Sequence, residues 1–179
     1  MKRKKFYLGI ALFIVVALIA LTVKNEFFKE EIPPELLINK LNGIAEVNFE
    51  TPLTLLDKST TTLEEYQGKI LIINFWASWC GPCQEEAPDL KTFYEQKPKN
   101  VELLAINATS YDSRENAMKF QQLYDLNFPI FLDTDRSLGK SSEVIAFPTT
   151  LIIDQKGILR HTIEGQLTQQ DLQQLISEL

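Results

Sequence analysis

The sequence predicts an α/β domain in which a central mixed sheet is covered by helices on both faces, preceded by one N-terminal transmembrane helix. Three observations predict it. From about residue 43 onward, segments of strand length alternate with segments of helix length. Residues 70–76 form a continuous apolar run, as expected for a strand buried on both faces, and 101–107 form a second, largely apolar one. Residues 6–23 carry no charge over a length that can cross a bilayer.

The N-terminal stretch 6–23 contains 18 uncharged residues between the basic cluster Lys2–Lys5 and Lys24. As a helix it covers about 27 Å, close to the hydrocarbon thickness of a bilayer. A cleaved signal peptide is the alternative, but it has a shorter apolar region and a small-x-small site, and no Ala-x-Ala occurs here. We therefore interpret the stretch as an uncleaved signal-anchor. The positive-inside rule places Lys2–Lys5 in the cytoplasm and the remainder outside it, where disulfides persist.

The chain is accordingly divided into four segments. They are a cytoplasmic basic tail at 1–5, a transmembrane signal-anchor at 6–23, a linker at 24–42 and a folded domain at 43–179. The linker contains two successive prolines, which interrupt regular structure. The second of them, Pro34, is predicted to open a short helix that runs through Lys40.

The first half of the domain is predicted to contain three strands and a helix. Residues 52–56 form a short strand, and 63–67 form a helical turn that ends at Gly68. The apolar run 70–76 is the first buried strand, and 101–107 is the second. Between them a helix is predicted over 82–96, with a proline in its first turn.

The second half continues the alternation. Ser113 is a suitable N-cap for a helix over 113–124. A short strand at 130–132 and a short helix at 137–144 follow. Two further strands, 149–154 and 158–163, are joined by Asp154-Gln155-Lys156-Gly157, a sequence typical of a hairpin turn. Thr168 caps a last helix that runs to residue 179.

The overall charge argues against one class of function. The formal net charge is −6, and four of the 18 basic residues lie in the cluster Lys2–Lys5. The rest of the chain has 14 basic and 24 acidic residues, a net charge of −10. Nucleic-acid binding requires a basic surface that displaces counterions, so this composition predicts no nucleic-acid partner.

Cys80 and Cys83 are the two cysteines of the chain, and they follow the first buried strand. A disulfide closing so short a loop adds little stability, so the pair is interpreted as chemical. The following helix offers unpaired N–H groups and a partial positive charge, which stabilise a thiolate on Cys80. We expect Cys80 to be the more exposed and to form a mixed disulfide, which the less accessible Cys83 resolves.

Other uses of two cysteines separated by two residues fit the sequence poorly. A structural zinc site needs four ligands, and His161 is the single histidine. Covalent haem attachment needs a histidine where Gln84 stands. A copper carrier of this type needs three residues between its cysteines. A peroxiredoxin needs proline and threonine at the positions held by Ile73 and Ala77. No metal or cofactor is therefore predicted.

These residues resemble a known family. Residues 76–83, Trp-Ala-Ser-Trp-Cys-Gly-Pro-Cys, resemble the thioredoxin active site, and Pro88 matches the proline within its active-site helix. Phe147-Pro148-Thr149-Thr150 resembles the segment that carries the cis-proline of that fold. The longer pattern over 71–88 is closer to the TlpA/ResA/DsbE family. The resemblance implies a thioredoxin-like fold with an extra helix at about 113–124, anchored in the membrane outside the cytoplasm.

The resemblance also implies a client-binding surface. Pro148 is expected to be cis and to face the disulfide, and Trp79 is expected to form a flat contact surface beside Cys80. The remaining residues implied to contact the client are Gly81, Pro82 and Phe147.

One acidic residue is assigned through the same resemblance. Thioredoxins carry a buried aspartate at the position of Asn74, and an amide cannot exchange the proton of Cys83. In the ResA branch a glutamate three residues after the second cysteine is implicated instead, and Glu86 matches it. Three residues are nearly one helical turn, so Glu86 is predicted to lie beside Cys83 as a third catalytic residue. A solvated helix glutamate is the alternative.

The family implies a reductant of exported proteins, apocytochrome c among them, that receives electrons from a membrane-embedded thiol donor. Two alternatives stay open. A disulfide-donating oxidant is disfavoured by the dipeptide Gly81-Pro82, since strongly oxidising relatives tend to have others. A redox-silent adaptor or chaperone is disfavoured because both cysteines are intact.

Overall fold

The computed structural model describes residues 37–41 and 43–179. The predicted basic tail, the predicted signal-anchor and the first part of the predicted linker lie outside these residues. Within them, none of the helices has the length and apolar character that a membrane crossing requires.

The described chain alternates strands and helices, as the sequence predicts. In chain order the elements are β1 (Ile38–Leu41), β2 (Ile44–Val47), β3 (Pro52–Thr54), β4 (Thr60–Thr62), a 3₁₀ turn (Leu63–Tyr66), β5 (Ile70–Trp76), α1 (Gly81–Gln96), β6 (Val101–Asn107), α2 (Arg114–Leu123), β7 (Ile130–Leu132), α3 (Ser137–Ser141), β8 (Thr149–Ile153), β9 (Leu159–Glu164) and α4 (Gln169–Ser177).

Five of the described strands form the central sheet, in the order β7-β6-β5-β8-β9. β5 pairs parallel with β6, and β6 pairs parallel with β7. β8 pairs antiparallel with both β5 and β9. The sheet is therefore mixed, and the thioredoxin-like α/β fold is confirmed. Because β5 and β6 run parallel, their carboxyl ends lie at the same edge of the sheet, where α1 begins.

The core is divided by the sheet, because alternate residues of a strand point to opposite faces. On β5, Ile72 and Trp76 pack on one face with Phe93 of α1 and Leu172 of α4. Alternate β5 residues pack on the other face with the 3₁₀ turn, α3 and the β1–β2 segment. Asn74 lies between Ile72 and Trp76 on the α1 face, so its side chain is directed into the protein below the active-site helix.

The predicted helix from Pro34 to Lys40 is wrong over its C-terminal part. There β1 pairs antiparallel with β2, with Leu41 opposite Ile44. Gly43 adopts a φ of +80°, which glycine tolerates in a tight hairpin turn. Leu37 and Ile38 are buried in the core. The C-terminal end of the segment predicted as a linker is therefore part of the folded domain.

Other differences are smaller. The predicted strand 52–56 ends at Thr54, and the polar run after it contains β4, which pairs antiparallel with β3. The short helix predicted over 137–144 ends at Ser141. The extra helix is present as α2, and the Ser113 side chain caps it by accepting a hydrogen bond from the Asn116 N–H.

Candidate active site

The two cysteines lie where β5 passes into α1. Cys80 is the N-cap of α1, and its Sγ accepts a hydrogen bond from the Cys83 N–H at 3.2 Å. The two residues form a disulfide, with their Cα atoms 5.2 Å apart. An N-cap position gives the Cys80 sulfur direct access to the unpaired N–H groups and the positive end of the helix, which stabilise negative charge on it.

Exposure of the two cysteines differs less than predicted. In the disulfide form Cys80 is 4% exposed and Cys83 is 2% exposed. Gly81 and Pro82, between them, are exposed on the first turn of α1. A Cβ added at Gly81 would meet open space, so the packing does not require glycine there. A client therefore approaches the pair across the first turn of the helix.

Glu86 is buried beneath the disulfide rather than solvated, with 2% of its surface exposed. Asn74 Nδ2 donates to Glu86 Oε1 at 2.9 Å, and the Leu167 N–H donates to Glu86 Oε2 at 3.2 Å. Burial raises the pKa of the Glu86 carboxyl from 4.5 to about 7, although both hydrogen bonds oppose this shift. The carboxyl is therefore close to half ionised at neutral pH.

Glu86 and Cys83 line the same small internal cavity of about 10 Å³, which Asn74 also lines. Its volume is on the order of one water molecule. Because the cavity is closed off by apolar side chains such as Phe120, a proton leaving Cys83 meets Glu86 before it meets bulk solvent. The arrangement suits Glu86 to accept that proton when the Cys83 thiolate forms.

The backbone before Cys80 is held by a carboxylate that the sequence reasoning missed. Asp112 accepts hydrogen bonds from the Ser78 N–H at 2.7 Å, the Ser78 hydroxyl at 2.8 Å and Asn107 Nδ2 at 2.9 Å. Burial acts to raise the pKa of Asp112, but these hydrogen bonds outweigh it and the pKa is lowered. Asp112 follows β6, whose carboxyl end lies beside that of β5. That adjacency, read from the predicted parallel pairing, is the signal that could have found it.

Aromatic side chains surround the exposed side of the cysteine pair. Trp79 is 59% exposed, and its Nε1 donates to the Tyr111 carbonyl oxygen at 3.0 Å. The Phe147 ring lies 6.1 Å from the Trp79 ring and 6.4 Å from the Tyr111 ring, in edge-to-face arrangements. The Phe147–Pro148 peptide bond is cis, as predicted, and leads directly into β8. Tyr111 was not predicted, since nothing in its local sequence marks it.

Comparison with known proteins follows from this geometry. The family model described as Redoxin matches residues 43–176. The chain belongs to the redoxin family. The redoxin "Thiol-disulfide oxidoreductase ResA" of Bacillus thuringiensis is 30% identical over 180 residues, covering 99% of this chain and 98% of that one. "Thioredoxin-like protein YneN" of Bacillus subtilis is 29% identical over 174 residues, covering 96% of each.

A solved structure extends the comparison. The crystal structure of StoA from Bacillus subtilis has a TM-score of 0.63 and 27% identity, covering 70% of this chain and 94% of that one. This redoxin is a thiol–disulfide oxidoreductase of the ResA and StoA type, with a close cysteine pair. The resemblance drawn from residues 71–88 is confirmed at the level of the family.

The redoxin fold brings the predicted site residues into two groups. Cys83 and Glu86 meet at the internal cavity beneath the disulfide, and Trp79 and Phe147 meet on the exposed side. The catalytic role of Glu86 and the client-binding roles of the exposed residues stay predictions. In the described part of the chain, no group of three or more His, Cys, Asp or Glu side chains is placed to hold a metal ion.

Proposed function

We propose that this redoxin is a membrane-anchored reductase that acts outside the cytoplasm on disulfides of exported proteins, with apocytochrome c as one client. The observation that carries the proposal is the cysteine pair at the N-terminus of α1, with a buried, partly ionised Glu86 at the same cavity as Cys83. The uncharged stretch 6–23 after Lys2–Lys5 supports the anchor and its orientation.

The reaction is an exchange of two disulfides. In the reduced protein, the Cys80 thiolate attacks one sulfur of the client disulfide, which forms a Cys80–client bond and releases the first client thiolate. Cys83 passes its proton toward Glu86 and attacks Cys80 Sγ. This step forms the Cys80–Cys83 disulfide and releases the second client thiolate. The client gains two electrons, and a membrane-embedded thiol donor restores the reduced pair.

The direction of transfer is predicted from the dipeptide between the cysteines. Gly81-Pro82 favours a reducing pair. We expect the full-length protein in detergent, equilibrated against a thiol buffer, to have a reduction potential below about −220 mV. The Cys80→Ser/Cys83→Ser variant provides the spectroscopic baseline. A potential above about −150 mV would make the protein a disulfide donor and reverse the proposed direction.

Localisation is tested through the cysteines themselves, since Cys80 and Cys83 are the only thiols of the chain. After mild reduction of intact cells, a membrane-impermeant maleimide should label the full-mass protein in the membrane fraction. The Cys80→Ser/Cys83→Ser variant should remain unlabelled, and a cytoplasmic thiol protein should be protected. Labelling that requires lysis would contradict the proposed orientation, and a shortened, soluble product would contradict the uncleaved anchor.

A further inference from the structure

A surface groove of about 460 Å³ begins beside the cysteine pair. Trp79, adjacent to Cys80, and Phe147, adjacent to the cis-proline, line its near end. It continues past Tyr111 to α3 and to Ile145 in the segment between α3 and β8. A polypeptide whose sulfur reaches Cys80 therefore has this groove next to it.

The groove is more apolar than an ordinary surface. Trp79 is 59% exposed, Tyr111 50% and Ile145 84%. Single exposed apolar residues need no explanation, but three large ones in one concave surface beside a reactive pair indicate a binding site. The Trp79–Tyr111 hydrogen bond and the contacts of both rings with Phe147 hold the near end of the groove in shape.

The accessible charge in the groove is positive. The Arg136 guanidinium lies 4.6 Å from the Tyr111 ring centroid, and Lys140 lines the same surface. Both side chains are exposed, and neither forms an ion pair with another described residue.

The acidic residue of the groove does not neutralise these cations at the surface. Asp133 is 5% exposed, and its carboxylate accepts hydrogen bonds from the Leu138 N–H at 3.3 Å and the Gly139 N–H at 2.9 Å. It is therefore engaged with the first turn of α3. Two exposed cations thus stand beside the active site of a chain whose net charge beyond the basic tail is −10.

We propose that this groove binds the client polypeptide beside its disulfide and selects segments with an apolar side chain and a carboxylate near the reacting cysteine. The apolar side chain packs on Trp79, Tyr111 and Ile145, and the carboxylate pairs with Arg136 or Lys140. This inference rests on the proposed reductase function and assigns its specificity. An acidic client is favoured because the same groove repels a basic one.

The test uses three peptide disulfides that differ in one residue, Glu, Gln or Lys, near a leucine beside the cysteine. The full-length reduced protein in detergent should show kcat/KM decreasing from Glu to Gln to Lys, with about a fivefold to tenfold span at low ionic strength. Because exposed ion pairs are weak and screened, the span should shrink with added salt.

Charge variants locate the effect. The Arg136→Gln/Lys140→Gln variant should bring the Glu-to-Lys ratio of kcat/KM close to 1. The ratio within one variant is the readout, so a general loss of activity does not imitate this result. The matched control is Lys99→Gln/Lys156→Gln, which removes two exposed cations from turns outside the groove and should keep the ratio.

Each remaining outcome contradicts a different statement. Equal rates for the three peptides overturn the groove proposal and leave the reductase function intact, whereas no reduction of any peptide overturns both. If the ratio is 1 and the groove variant instead loses binding to anionic phospholipid vesicles, the surface contacts a membrane. If the ratio is 1 and the variant changes the sedimentation of the protein, it contacts a second copy. Both results reject a client site.

Discussion

Replacing Cys83 by serine should stop turnover and trap clients on Cys80. The serine hydroxyl does not attack the Cys80–client disulfide, so the mixed disulfide formed in the first step persists. We expect steady-state reduction of a disulfide substrate to fall by at least about 10³-fold, because the two cysteines act as a unit. The measurement is the rate of peptide reduction, together with non-reducing gel electrophoresis of membranes from cells that express the variant.

The matched control is Cys80→Ser, which has the remaining thiol in the 2% exposed position of Cys83 and should trap little. Mass spectrometry of the trapped adducts then identifies the clients. Adducts with exported proteins, apocytochrome c among them, are expected. If Cys83→Ser accumulates no adduct, or if Cys80→Ser accumulates as many, the assigned order of attack is wrong. A Cys80→Ser/Cys83→Ser variant that replaces the wild-type protein in a deletion strain would favour the adaptor.

Local patterns carried most of the fold prediction. The strand 70–76 was predicted with its bounds because every residue in it is buried, and a continuous apolar run records that. The helix α1 followed from the proline in its first turn, and Thr168 caps α4 by accepting from the Asp171 N–H, as a capping residue should. The cis-proline was found through a resemblance, since no local rule distinguishes it from other prolines.

What the sequence reasoning missed depends on distant partners. Leu37 is buried because a domain more than a hundred residues long surrounds it, and its N–H donates to the Ser141 hydroxyl at 3.0 Å. A proline-rich tether gives no sign of that, so β1 was assigned to a helix. The assignment also overlooked the turn signal Asn42-Gly43.

Burial of Glu86 has the same origin. Its partners are Asn74, twelve residues before it, and the backbone of Leu167, 81 residues after it. Helix periodicity placed Glu86 beside Cys83, but it could not distinguish a buried carboxyl from a solvated one. Asn74 was read only as the loss of an aspartate. In the structure its amide also receives no proton, yet it orients the carboxylate that can, and it donates a second hydrogen bond to Thr150 Oγ1 at 3.1 Å.

Glu86→Gln should slow resolution of the mixed disulfide by about 10²-fold near neutral pH, because a positioned base contributes about that much. With the pKa of Glu86 at about 7, the wild-type rate should rise as the carboxyl ionises through neutral pH. The variant should lack that inflection and keep only the dependence on the thiols. The measurement is a pH profile of single-turnover exchange, followed by tryptophan fluorescence or by quenching and separation.

The matched control for this change is Glu85→Gln, which removes a carboxylate from the neighbouring, exposed position of α1. It should keep both the rate and the inflection. Equal profiles for Glu86→Gln and the wild-type protein would remove the proton-accepting role. A loss of rate with the inflection preserved would assign Glu86 to packing alone.

Stability provides an independent readout of the same group. Below pH 4.5, Glu86 is protonated in both the folded and the unfolded chain and contributes no pH dependence. Between pH 4.5 and about 7, the unfolded chain releases the proton while the folded protein keeps it, so the free energy of unfolding falls as pH rises. Above about pH 7 the penalty is constant, at about 3 kcal/mol. Glu86→Gln should remove this decline in urea unfolding of the oxidised protein, and Glu85→Gln should retain it. A strained, partly ionised carboxyl that costs stability at neutral pH is expected where a proton must be accepted, and a structural hydrogen-bond partner has no need of it.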